Sequence, residues 1–316
     1  MTRLLITRPL PKTVVAAAME SFEVTVRPEN TPLSRDEIAT ALRDYDAVLP
    51  TLGDRFDAQA LAGTHRCRIL ANFGVGFNHI DAEAARDAGI EVTNTPGAVT
   101  DATADIAMTL MLMTCRRAGE GERMVRAGTW EGWHPTQLLG MHLTGKRLGV
   151  VGMGRIGQAI AKRAQGGFDM DIVFYNRSKL NDLPFPARQL PDLEAVLKAA
   201  DVVVLAVPAT PQTHHLVNAA ALAAMQPHAY LINIARGDVV DETALIDALQ
   251  ANKIAGAGLD VYEFEPTVPA ALTRMENVTL LPHLGTSALE VREQMGLMAL
   301  DNLKAFFSGN TPPNRV

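Results

Sequence analysis

The chain has 316 residues, too long for one ordinary core and suited to two domains of medium size. Hydrophobic residues make up 47% and charged residues 20%, a balance that buries a large core and excludes disorder as the dominant state. Lys plus Arg number 29 against 35 Asp plus Glu, a net charge of -6 with both signs scattered, so neither nucleic acid nor an anionic membrane is expected as a partner. A small anionic ligand, which needs only local positive charge, stays open. Cys67 and Cys115 sit in apolar surroundings and read as buried thiols of a reducing compartment. The apolar run at residues 4–6 is too short for a signal-peptide core. No apolar stretch reaches the roughly 20 residues that span a bilayer. The expected location is the cytoplasm.

Short apolar runs alternate with helical patterns. Strands are expected at 4–7, 22–26, 47–49, 68–71 and 90–93. A helix is expected at 12–21. Ser34 with Glu37 forms a capping box for a helix to residue 42. Another helix at 81–88 stops at Gly89. The turn signal Asn94-Thr95-Pro96-Gly97 marks a domain boundary. One long helical region, rich in Ala, Met and Leu, is expected over 100–126. A loop with both tryptophans, Trp130 and Trp133, follows. A new series of strands is expected at 147–151, 172–175, 202–207, 230–234, 256–260 and 278–281, with a helix over 287–307. The Pro-containing tail 308–316 is expected to be mobile at its end. Strands alternating with helices imply parallel sheets with crossover connections.

Residues 147–151 are an apolar strand running into Gly152-Met153-Gly154-Arg155-Ile156-Gly157. This is Gly-x-Gly-x-x-Gly, with a helix directly after it. Such a turn lets a diphosphate approach the backbone and meet the free N–H groups of a helix N-terminus. The motif alone is weak, but its strand and helix context makes an ordinary turn the poorer explanation. An NAD site places an acid at the end of the next strand, to hold the ribose hydroxyls. Here that end reads Asn176-Arg177-Ser178-Lys179. Asp169 and Asp171 lie before the strand, at its far end. Arg177 and Ser178 instead suit a 2′-phosphate, which favours NADP(H) and leaves NAD possible. The alternative is that Arg177 and Lys179 are solvated loop charges.

Three polar residues fall just past strand ends: Arg236, Glu265 and His283. In doubly wound sheets the ligand crevice lies beyond the carboxyl ends of the strands. Each residue alone could be structural. Together they supply an anion binder, a carboxylate and a proton donor.

At these positions the chain resembles the D-isomer-specific 2-hydroxyacid dehydrogenases, over nearly its whole length. The resemblance rests on residues 148–178, on 200–208 with Thr210-Pro211-Gln212-Thr213, on 225–237, and on Pro282-His283-Leu284-Gly285. Residues 72–81, 100–105 and 130–135 look most like the glyoxylate/hydroxypyruvate reductases. The resemblance implies an α/β fold of two doubly wound parallel-sheet domains, a Rossmann cofactor domain inserted in a flavodoxin-like substrate domain. It implies a substrate domain at 1–98 completed by 287–316, and a dinucleotide domain at 99–286. Arg236 would hold the substrate carboxylate and keto oxygen, His283 would be the general acid, and Glu265 its hydrogen-bond partner. Val75 and Gly76 would offer backbone N–H groups to the carboxylate, and Trp133 would reach a neighbour's substrate. Cofactor contacts would come from Thr103, Gly152, Gly154, Arg155, Ile156, Gly157, Asn176, Arg177, Ser178, Val207, Pro208, Thr213, Ile234, Ala235, Asp260, His283 and Gly285. A homodimer packed through residues 100–142 is implied as well.

The remaining candidates read as structural. His214 and His215 follow a turn and are expected at the surface, and the Met108, Met111 and Met113 spacing fits a helix in a core or interface. Neither a metal motif nor a hydrolase elbow is present. The expected activity is NADPH-dependent reduction of small 2-oxoacids such as glyoxylate and hydroxypyruvate. The alternatives are an NAD-dependent 3-phosphoglycerate or D-lactate dehydrogenase and a non-catalytic nucleotide-sensing protein.

Overall fold

A computed structural model describes residues 1–316. The chain forms two compact units, one of Met1–Val99 with Thr286–Val316 and one of Thr100–Gly285.

In the first unit the elements run β1 (Arg3–Ile6), α1 (Lys12–Met19), β2 (Glu23–Val26), α2 (Arg35–Asp44), β3 (Ala47–Leu49), β4 (Ile69–Ala71), α3 (Ala82–Asp87) and β5 (Glu91–Thr93). The five strands are parallel in the order β2-β1-β3-β4-β5, the flavodoxin-like winding. Every residue of β3 and β4 is buried, as expected for central strands covered on both faces. The Ser34–Glu37 capping box is present, with Ser34 Oγ accepting from Glu37 N and Glu37 Oε2 accepting from Ser34 N. The chain's last helix, Leu289–Phe307, packs Ala299, Leu300 and Leu303 against Leu4, Ile6 and Val14.

The tail departs from expectation. Val316 N donates to Val92 O, Asn94 N donates to Asn314 O, and Arg315 pairs with Glu91 at 2.6 Å. The tail is therefore docked along β5, whose outer edge would otherwise leave backbone groups unpaired.

The second unit runs α4 (Thr100–Cys115), α5 (Ala118–Arg126), β6 (Arg147–Val151), α6 (Arg155–Phe168), β7 (Asp171–Tyr175), β8 (Arg188–Gln189), α7 (Leu193–Ala199), β9 (Val202–Leu205), α8 (Ala219–Ala224), β10 (Tyr230–Asn233), α9 (Glu242–Gln250), β11 (Gly256–Leu259), α10 (Ala270–Thr273) and β12 (Val278–Leu280). Its seven parallel strands lie in the order β12-β11-β10-β9-β6-β7-β8. The winding reverses between β6 and β9, the place where an open sheet takes its ligand. Two apolar clusters fill this unit, containing Val151, Val203 and Leu231 in one and Val150, Val204 and Ile232 in the other. Alternate residues of the same strands thus feed opposite faces.

The helical region expected over 100–126 consists of two helices. Arg117 takes a left-handed φ of 54° between them. The returning chain crosses here, and Met141 N donates to Cys115 O at 2.7 Å. That captures a carbonyl that the next turn of helix would need. The two-residue strand β8 has no apolar run and was not expected. Both cysteines are buried, and burial pushes each thiol up to about 12. No helix is long and apolar enough to cross a membrane.

Candidate active site

The turn after β6 meets the N-terminus of α6. Gly152 adopts a φ of +96°, closed to most side chains. At Gly157 a Cβ would lie 2.1 Å from the carbonyl oxygen of Gly152, so only glycine lets the helix seat on the turn. Gly154 is the N-cap of α6 and no side chain caps the helix. A Cβ placed there would meet no atom within 4 Å, so the space before the free N–H groups of Arg155, Ile156 and Gly157 is open. An anion fits this end of the helix, which is what a dinucleotide's diphosphate requires.

Beyond β7, Asn176 Oδ1 accepts from Met153 N at 3.3 Å and ties the two loops together. Gln189 Nε2 donates to the carbonyls of Asn176 and Ser178, and its Oε1 accepts from Leu180 N. Arg177 and Ser178 stand exposed on this braced loop, and no carboxylate pairs with Arg177. After β9, Thr213 Oγ1 donates to Pro208 O at 2.7 Å and closes the loop that starts at Val207.

Arg236, Glu265 and His283 follow β10, β11 and β12, three adjacent strands at one edge of the sheet. Buried Asn233 shapes the first turn, with Nδ2 donating to Arg236 O and Oδ1 accepting from Ala235 N, which places Ile234 and Ala235 beside Arg236. A Cβ at Gly237 would lie 1.8 Å from the Tyr262 carbonyl carbon, so glycine is what brings this turn against the Glu265 loop. Burial lowers the guanidinium of Arg236 from its ordinary value, against the opposing pull of Glu265 and Asp238.

His283 Nδ1 and Glu265 Oε2 are 2.8 Å apart, and Glu265 Oε1 accepts from Tyr262 N. Burial would raise the Glu265 carboxyl. The hydrogen bond and charge of His283, the Tyr262 N–H and Arg236 overcome it and hold the group below the usual carboxylate range. An ionised Glu265 requires a proton on Nδ1 of His283. Nε2 is then the nitrogen left for proton exchange.

His283 has a φ of 54°, held from behind by Asp260. His283 N donates to Asp260 O, while the Asp260 carboxylate accepts from Leu284 N and Gly285 N. Burial raises the Asp260 carboxyl, opposed by these N–H groups and by His283. Thr103 Oγ1 donates to Gly285 O at 3.1 Å. Asp260 and Thr103, expected to touch cofactor, are here also the clamps of the histidine turn.

His215 departs from expectation. It is not a free surface group, since Nε2 lies 2.8 Å from Glu263 Oε1 and the ring stacks on His214 at 4.0 Å.

In the other unit, Val75 and Gly76 lie on the turn after β4. Asn72 Nδ2 donates to the carbonyls of Gly74 and Gly76, and Asn94 Nδ2 to that of Val75. Sequence reasoning missed both asparagines, although each follows a strand end as Arg236 does. Trp133 is 80% exposed, and no residue of α5 is buried. No cluster of residues suited to a metal ion is present.

A nicotinamide-dependent dehydrogenase is the class defined by an open glycine turn on a doubly wound sheet with a histidine–carboxylate pair and an arginine beyond neighbouring strands. The family profile of the D-isomer specific 2-hydroxyacid dehydrogenase NAD binding domain matches residues 108–285. A glyoxylate reductase of Pyrococcus furiosus is 44% identical over 320 residues, covering 99% of this chain and 95% of that one. A crystal structure of a Thermus thermophilus protein superposes with a TM-score of 0.92 at 43% identity, covering 99% of both chains. The NADPH-dependent glyoxylate/hydroxypyruvate reductase of Sinorhizobium meliloti, solved with NADP and malonate, gives 0.89 at 36% identity, covering 100% of this chain and 96% of that one. The chain belongs to the D-isomer-specific 2-hydroxyacid dehydrogenase family, on its glyoxylate reductase branch.

Proposed function

We propose that the protein reduces small 2-oxoacids, glyoxylate and hydroxypyruvate among them, to 2-hydroxyacids with NADPH, and that His283 is the general acid. The observation that carries this reading is the 2.8 Å pair of His283 and Glu265 beside the Arg236 turn. Bound nicotinamide supplies the hydride. His283 Nε2 delivers a proton to the keto oxygen. Glu265 keeps the imidazole oriented through Nδ1. Arg236 holds the carboxylate and stabilises the developing alkoxide. The N–H groups of Val75 and Gly76 are assigned to a substrate carboxylate.

Arg177, unpaired with any carboxylate on its braced loop, supports the choice of NADPH, since a 2′-phosphate would give it a partner. The exposed Val125, Trp130, Trp133 and Leu139 support a homodimer through residues 100–142, with Trp133 near the partner's substrate. The two buried, unpaired cysteines support a cytoplasmic setting. The names of the related reductases point the same way.

The test is turnover of a panel of 2-oxoacids with NADPH and with NADH. Glyoxylate or hydroxypyruvate with NADPH should give the highest kcat/KM. His283→Ala should lose about 10²–10⁴ in kcat with cofactor binding retained. An inert parent protein, or a fully active His283→Ala, would overturn the reading.

A further inference from the structure

The turn 74–76 has its three successive carbonyls held by side-chain amides. Asn72 Nδ2 reaches Gly74 O at 2.9 Å and Gly76 O at 3.0 Å, and Asn94 Nδ2 reaches Val75 O at 2.9 Å. Thr95 N also donates to Gly74 O. In a trans peptide the C=O and the following N–H point in opposite directions. Tethering the carbonyls of Gly74, Val75 and Gly76 therefore aims the N–H groups of Val75, Gly76 and Phe77 the other way. None of these three N–H groups donates to a backbone carbonyl. Successive N–H groups without a backbone partner are the raw material of an anion-binding turn.

Asn72 is itself held. It is 1% exposed and follows directly on β4. Its Nδ2 faces two carbonyls, which can only accept, so its amide orientation is fixed and Oδ1 faces the other way. His79 Nε2 lies 3.0 Å from that Oδ1 and must be the donor. The ring thus bears a proton on Nε2 and locks the amide that locks the turn. Asn94, after β5, completes the frame from the neighbouring strand.

We infer that Asn72 and Asn94 are positioning residues that hold the 74–77 backbone as a carboxylate cradle, with His79 orienting Asn72 and with Phe77 N–H as a third donor. This rests on the proposed 2-oxoacid reading and adds to it the residues that give the anionic end of the substrate its selectivity. Neither asparagine needs to touch substrate.

The experiment compares glyoxylate with its uncharged methyl ester in the parent, Asn72→Asp, Asn72→Ala and Asn94→Ala. Asn72→Asp keeps the shape but turns an acceptor toward two carbonyls, and it should twist the turn. Its kcat/KM ratio of acid to ester should fall about tenfold to a hundredfold, the worth of a lost charge-assisted hydrogen bond. The loss should appear in KM, with the affinity for NADPH unchanged. Asn94→Ala removes one tether only and should show a smaller fall of the same kind. It serves as the reading if the Asn72 variants do not fold. A general structural role would lower acid and ester together, and that result overturns the inference, as does an unchanged ratio. Binding of oxalate to the parent and variants, measured calorimetrically, separates this inference from the proposed reaction. A parent without turnover defeats the proposed reaction. Oxalate affinity reduced by the same substitutions would still support the cradle, and equal or absent binding would overturn it.

Discussion

Replacing Glu265 by Gln removes a charge beside His283, the proposed proton donor, while conserving its shape. The carboxylate sits 2.8 Å from His283 Nδ1, and the two side chains are 29% and 28% exposed. A charge-assisted hydrogen bond contributes about 1.5–3 kcal/mol, and partial exposure argues for the lower end. A second effect adds to it. Tyr262 N donates to the other oxygen at 3.0 Å, so the new amide must keep its oxygen there and turn its NH₂ toward Nδ1. That favours neutral imidazole with a bare Nδ1, so both effects weaken the hold on the imidazolium in the variant. The carboxyl of Glu265 lies below its ordinary 4.5, so it stays ionised through any assay near neutrality and its own titration does not enter. With His283 as the proposed acid, reduction requires imidazolium and falls as pH rises. Its limb should move to lower pH in Glu265→Gln. Oxidation requires a bare Nε2 and falls as pH drops. Its limb should move to lower pH as well, and its maximum rate should fall about 10²–10⁴-fold because the neutral ring now carries its proton on Nε2. The assay is the pH profile of kcat/KM in both directions. Limbs that stay in place would refute any coupling between Glu265 and the catalytic proton.

Arg177→Asp should weaken NADPH about tenfold to a hundredfold, as expected for one lost phosphate contact, and leave NADH equal or tighter by fluorescence titration; an equal loss for both cofactors would remove Arg177 from the 2′-phosphate. Gly157→Ala places a Cβ 2.1 Å from the Gly152 oxygen, and overpacking of this kind costs about 1–3 kcal/mol. It should lower Tm and abolish binding of either cofactor, so normal titration curves would contradict the close seating of α6. Sedimentation at micromolar concentration should show a dimer, and Trp133→Ala should raise the substrate KM; a monomer, or an unchanged KM, would discard the corresponding part of the proposal.

The fold class was legible because nearly every strand of both sheets is an apolar run followed by a helix signal, and central parallel strands need no polar face. The strand-end rule singled out Arg236, Glu265 and His283, and the adjacency of β10, β11 and β12 then placed Glu265 against His283 across 18 residues. What escaped depends on which loops face one another. The helix break at Arg117 comes from a chain segment returning at Met141, which no local propensity encodes. The docked tail follows from the open edge of β5, a property of the assembled sheet. His215 looked like a turn residue because its partner, Glu263, is 48 residues away. Asn72 and Asn94 carried the same strand-end signal as Arg236, but amides do not announce chemistry as charges do.

The left-handed backbone of His283 has a bearing on the timing of the reaction. A residue with a Cβ loses about 1–2 kcal/mol in that conformation. Buried Asp260 enforces it through three hydrogen bonds to consecutive residues. The reorganisation that would otherwise accompany each encounter is thus completed once, during folding. The fold itself preorganises the imidazole, so less of the binding energy of a small oxoacid with few atoms to contribute is diverted into turning it.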